Sequence, residues 1–234
     1  HKAPEPAWNE GGGRLRVRAR HGLWIAGVFV LATGAALAQS DDAKASLLVV
    51  LAKWTPLLFG GFLFNILISM MAMAIGTLIG VTLGLGQISP RRWLRGVCYG
   101  ITQFFRNSPW LVLLFFCMLL LPFEIRFGAV VVPLPDWIKA TIGLALPVLA
   151  NVSEIVRGAV LSLPSGQWEA AESLGFTRRQ TLWGIVLPQC VKRMLPPWMN
   201  LYAILTMATV LASIVGVSEV MTLAGQVLAA EGGR

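Results

Sequence analysis

The chain has 234 residues, of which 56% are hydrophobic and 13% charged, with mean hydropathy +0.71 and formal charge +8. A soluble domain carries about a quarter charged residues, so this composition excludes one and indicates a membrane protein. In a membrane chain the positive excess reports cytoplasmic loops rather than nucleic-acid binding. Cys98, Cys117 and Cys190 have no metal-binding or redox spacing and read as structural.

Residues 1–20, with Pro4, Pro6, three glycines and Arg14, Arg16, Arg18 and Arg20, read as a flexible basic arm. The apolar run 22–38 follows. It resembles a signal peptide in layout, but no soluble domain comes after it, so it reads as a first spanning helix at the short end of spanning length. Residues 21–56 are thus a first helix and an external loop, 57–227 the transmembrane domain, and 228–234 an external tail.

Four longer apolar segments are predicted. The first, 57–89, places Ala72, Gly76, Gly80 and Gly84 on one face, a spacing that lets a second helix approach closely. The others run over about 94–121, 138–163 and 198–227. With the first helix leaving the cytoplasm, inside segments hold twelve Lys and Arg and outside segments five. This bias predicts an all-α membrane protein of about five helices, N-terminus in and C-terminus out.

Two polar groups interrupt the apolar segments. Arg106, Asn107 and Ser108 precede Pro109, which removes a backbone donor and disfavours helix at Ser108. Broken backbone and charge at membrane depth require a cavity or protein partners, so these residues are candidates for a polar pathway. The competing reading has Arg106 snorkelling to the nearby surface. Asn151, Glu154 and Arg157 recur at three-residue spacing on one helical face, with Pro147 and Gly143 allowing a kink above them. They read either as pathway residues or as a structural ion pair.

Between the last two segments lies an amphipathic stretch, 164–195. A short helix starts at Ser165 or Gly166 and stops at Gly175. Thr177-Arg-Arg-Gln180 fits a capping box opening a second helix that Pro188 ends. Its exposed features are the small pair Ala170-Ala171 and the carboxylates Glu169 and Glu172. No catalytic constellation or phosphate loop is present in the sequence. His1 and His21 lie in or beside the basic arm without partners.

Glu169-Ala170-Ala171, Gly175, Ile185 and Leu187-Pro188 resemble the EAA loop of ABC-importer membrane subunits. Gly166-Gln167, Glu154-Ile-Val-Arg-Gly158, Phe105-Arg-Asn-Ser-Pro109, Pro197, Asn200 and Ile214-Val-Gly-Val-Ser-Glu219 are similar to its polar amino-acid branch. The resemblance covers about residues 57–225. It implies a non-enzymatic permease subunit of the bacterial inner membrane, in which the EAA loop is a cytoplasmic coupling helix. Its implied partners are a second permease subunit, two ATPases carrying ATP and Mg²⁺, and a periplasmic or tethered solute-binding protein. The chain itself binds no cofactor or metal in this scheme.

Three departures from the branch concern the substrate side. Asn107 replaces a usual Gly, an aromatic near Asn151 is missing, and Met207-Ala-Thr209-Val210 stands where a Lys-Asp-Ser/Thr-Ser run is usual. They favour a heterodimer, with a homodimer as the alternative, in which the other membrane subunit supplies part of the amino-acid site. Opines and sulfur amino acids are alternative solutes. A channel or scaffold without an ATPase is the reading from a different class.

Overall fold

The computed structural model describes residues 41–127 and 130–232. The basic arm and the expected first helix over 22–38 lie outside the described residues. The chain divides into two compact units at Trp54. Of the first unit, the described part is the opening of a helix, α1, which runs Asp41–Gln87. Residues 41–56 are therefore helical, not the expected external loop.

In the second unit, α2 (Arg92–Asn107) and α3 (Trp110–Leu120) replace the single third segment. They meet at 104°. Ser108 and Pro109 both take extended backbone there, with ψ 135°, as the proline demands. A hairpin of β1 (Glu124–Phe127) and β2 (Val130–Pro133) follows, antiparallel with Ile125 opposite Val132. The all-α expectation did not include it. It arises where a β-branched run, Val130–Val132, emerges between apolar helices.

The longest well-buried helix is α4 (Asp136–Leu161), which continues through Pro147. At its start, Lys139 Nζ lies 3.3 Å from Asp136 and 3.6 Å from the centre of the Phe123 ring. A buried ammonium is thereby held by a carboxylate and an aromatic face. Then come α5 (Gly166–Ser173), α6 (Arg178–Thr181), a π-helical turn (Leu182–Val186), α7 (Leu187–Ala208), α8 (Leu211–Ile214) and α9 (Val220–Gly232). The expected last segment is thus divided, with Gly216 at φ +90° between α8 and α9.

The stripe of small residues in α1 serves α4. A Cβ on Gly76 would lie 2.4 Å from Val148, on Gly80 2.7 Å from Val152, and on Gly84 2.7 Å from Val156. Three valines spaced by four residues therefore seat against three hydrogen atoms spaced by four. Ile68, Ala72, Leu144, Val148, Val152 and Leu205 form the centre of the core. Two polar ties cross it: Trp198 Nε1 donates to Thr77 Oγ1 at 2.9 Å, and Asn65 Nδ2 donates to Glu219 at 2.8 Å.

Among the described residues, three helices are long and apolar enough to cross a membrane: 52–87, 136–161 and 178–214. The bent α2–α3 pair makes a fourth if taken as one span. Exposed Phe59, Leu78, Leu119 and Met207 are then ordinary, since hydrocarbon exerts no penalty on them.

Candidate functional site

The amphipathic stretch folds as an elbow. Its first arm, α5, ends in a complete Schellman motif, with Phe176 N–H donating to the Ala171 carbonyl at 3.0 Å and Gly175 N–H to Glu172 at 2.9 Å. Gly175 has φ +78°, a left-handed conformation that costs an L side chain ~1–2 kcal/mol. The second arm opens with the expected capping box. Gln180 N–H donates to Thr177 Oγ1, and Thr177 N–H donates to Gln180 Oε1 at 2.8 Å.

Pro188 does not end this arm. The π turn closes with the Leu187 N–H bonded to the Leu182 carbonyl, and Pro188 falls in the first turn of α7, where its missing N–H is tolerated. The arm therefore runs on into a span. Ala171 also departs from expectation: it is buried, and only Ala170 of the pair is exposed, between exposed Glu169 and Glu172. Successive residues on a helix point about 100° apart, so one alanine packs while its neighbour faces out. Ile185 and Leu187 are half-buried, and Val186 between them is fully so.

Side chains brace the elbow against the bundle. Val186, Cys190, Ala159, Val160 and Leu163 make a small core on which Trp168 packs. Arg193 Nη1 donates to the carbonyl and the hydroxyl of Ser162, both at 2.9 Å. The Arg178 guanidinium stands over the Trp168 ring at 5.6 Å.

Above the elbow a cavity of about 550 Å³ opens between α2, α4 and α7. Glu154 is its focus. Arg157 Nη2 approaches the carboxylate at 2.8 Å, and Arg106 Nη1, from the last turn of α2, at 3.8 Å. The carboxylate is 13% exposed and the Arg106 side chain 47%. Two guanidiniums on one carboxylate leave net positive charge facing open space, a poor arrangement for a purely structural pair. Asn151 also lines the cavity, its amide donating back to the Pro147 carbonyl at 2.8 Å.

Three other pathway candidates do not line this cavity. Asn107 and Ser108 return their side chains to the carbonyls of Gln103 and Phe104 at the end of α2. Thr209 is buried and donates to Thr206. The cavity instead gains Arg193, Pro197, Asn200 and Ile204 from α7. Those four lie at i, i+4, i+7 and i+11, a helical face that the proline pair obscured in the sequence. Behind Glu154, Gln87 Nε2 donates to Ser153 at 2.8 Å and Thr102 donates to Ser153 at 3.0 Å, joining α1, α2 and α4. These residues come together only in three dimensions.

Residues 76–230 match the family model described as binding-protein-dependent transport system inner membrane component. Over 167 residues the chain is 37% identical to the probable amino-acid ABC transporter permease protein YckA of Bacillus subtilis (strain 168), covering 71% of each. It is 34% identical to the L-cystine transport system permease protein TcyB of the same organism, covering 74% of this chain and 71% of that one. Its fold is shared with the crystal structure of an amino acid ABC transporter with histidines, at TM-score 0.68 and 24% identity over 80% of this chain and 84% of that one. With its spans, its elbow and two thirds of its length under one family model, the chain belongs to the inner membrane components of binding-protein-dependent transport systems.

Proposed function

We propose that this chain is a permease subunit of an ATP-driven importer of amino acids, forming half of a translocation pathway. The observation that carries this reading is the Arg106–Glu154–Arg157 cluster on an open cavity, directly above a rigid elbow. A zwitterionic amino acid presents one carboxylate and one ammonium; Arg106 matches the first and Glu154 the second. The names of the relatives support the solute class, and the L-cystine permease among them keeps sulfur amino acids within it.

In this reading the chain lies in the bacterial cytoplasmic membrane with the elbow on the cytoplasmic side, as the Lys and Arg bias requires. Glu169, Ala170 and Glu172 present the docking surface for an ATPase, and Gly175 fixes its angle. Two ATPase subunits bind ATP and Mg²⁺, a second permease subunit completes the pathway, and a solute-binding protein delivers the amino acid. Closure of the ATPases moves the elbow, and the elbow moves the helices that wall the cavity.

The test is uptake by the complete complex in proteoliposomes. Charged hydrogen bonds contribute ~1.5–3 kcal/mol, so Glu154→Gln or Arg106→Ala should raise the apparent KM for the amino acid about 10- to 100-fold. Basal ATP hydrolysis should persist. Unchanged KM in both variants would remove the cluster from the pathway.

A further inference from the structure

A second and larger cavity, about 800 Å³, lies beside the elbow, and the scheme above makes no use of it. Arg92, Arg95, Arg157 and Arg178 line it, together with Tyr99 and Trp168, and no Asp or Glu does. The four cations differ in what already holds them. Arg157 is bound by Glu154, and Arg178 reaches the Ile88 carbonyl at 3.4 Å while standing over Trp168. Arg92 and Arg95 are exposed, and among the described residues neither has a carboxylate within ion-pair distance. They stand three apart in the first turn of α2, which has no side-chain cap at Arg91. The unspent N–H groups and the helix dipole add to the positive field there.

Ile88, Val160, Leu161, Leu163 and Leu182 give the cavity an apolar floor, beside the uncharged polar Gln87 and Ser165. The cavity sits where two spans finish, at Gln87 of α1 and Leu161 of α4. Trp93 in the first turn of α2 and Trp183 in the π-helical turn, 66% and 58% exposed, neighbour the lining residues Arg92 and Leu182 in sequence, and tryptophans are enriched at the level of lipid headgroups. A small soluble anion would use the arginines and leave the apolar floor wet. A phospholipid uses both.

We propose that this cavity binds an anionic phospholipid, its phosphate held by Arg92 and Arg95 with Arg178 as a third donor, and its glycerol and upper acyl carbons against Tyr99, Leu161 and Leu182. Basic pockets between spanning helices take anionic headgroups on the same physical grounds. The site shares Arg178 with the elbow and Arg157 with the Glu154 cluster, so bound lipid would brace both. The inference rests on membrane placement and not on the transport scheme, so a complex that transports nothing still tests it.

The experiment is native mass spectrometry of the full complex released from nanodiscs containing phosphatidylcholine with phosphatidylglycerol. Wild-type complex should retain phosphatidylglycerol in preference to phosphatidylcholine. Arg92→Gln with Arg95→Gln should weaken retention about thirtyfold, at ~1 kcal/mol for each arginine. Arg91→Gln with Arg179→Gln removes equal charge from residues that do not line the cavity and should change nothing. Gly96 lines the cavity with open space over its Cα, so Gly96→Leu should displace the lipid without altering charge. Equal retention of the two lipids, or equal loss from both double variants, overturns the site. So does displacement of phosphatidylglycerol by inorganic phosphate alone, or a cross-link placing an acidic segment of another subunit against Arg95.

Discussion

Glu219 is a fully buried carboxylate with no ion-pair partner among the described residues, and its surroundings explain how that is tolerated. It accepts from Asn65 Nδ2 at 2.8 Å, and from the backbone N–H groups of Met221 at 2.9 Å and Thr222 at 3.1 Å. Two of those three donors belong to the first turn of α9, where positive partial charge offsets the carboxylate. Glu219→Ala takes the acceptor from a buried amide and two half-buried N–H groups and should lower stability by ~2–4 kcal/mol, read as thermal unfolding of the detergent-solubilised protein. Glu219→Gln keeps an acceptor and should lose less than half of that; equal losses would mean the side chain acts by volume alone. At this scale the sequence was only partly legible. The EAA positions, Gly175 and the Thr177 cap stood out because their chemistry is local. Glu219 was visible as a motif letter only, since its partner Asn65 is 154 positions away. Asn107 and Ser108 show another limit of the sequence: it gives their polarity but not that each bonds a carbonyl of its own helix end.

Among the elements, the α1–α4 pair shows how far a periodic pattern carries. The small residues at every fourth position predicted a close helix contact, and Val148, Val152 and Val156 meet it. Which helix would come was not readable, because the three other long segments are all apolar and nothing local in the stripe selects among them. Gly80→Leu places carbon against the Leu149 carbonyl, where a Cβ alone would come within 2.6 Å. Overpacking of this kind costs ~1–3 kcal/mol, and the expected result is a lower melting temperature with loss of assembled complex on size-exclusion chromatography. Gly100→Leu, at a glycine with open space around it, is the matched control and should have little effect. The boundaries that failed, at Pro188 and over 198–227, failed at prolines and at short irregular backbone. A proline in the first turn of a helix and one that ends a helix look alike in sequence. The π turn that reconciles Pro188 with the preceding arm depends on packing of Val186 and Cys190.

For the whole molecule, the elbow joins two of the elements that wall the cavity around Glu154. The first arm follows α4, which carries Glu154; the second leads into α7, which carries Arg193 and Asn200. Gly175→Val forces a β-branched residue into the left-handed region and should splay the arms. We expect membrane insertion to be retained, while uptake is lost and ATP hydrolysis no longer responds to solute; coupled uptake at the wild-type rate would exclude the elbow from coupling. From Arg178 to Ala208 the backbone stays helical, roughly 45 Å at ~1.5 Å per residue, with no loop between the second arm of the elbow and the cavity wall. The two walls are also tied at their elbow end by Arg193 on Ser162. In the proposed transport scheme, a cavity clamped at that end would open in the manner of a clothes-peg, its jaws parting at the far mouth by an amount proportional to their length. A small rotation at Gly175 would then be magnified towards the far end of the span, and the mouth nearest the elbow would move least.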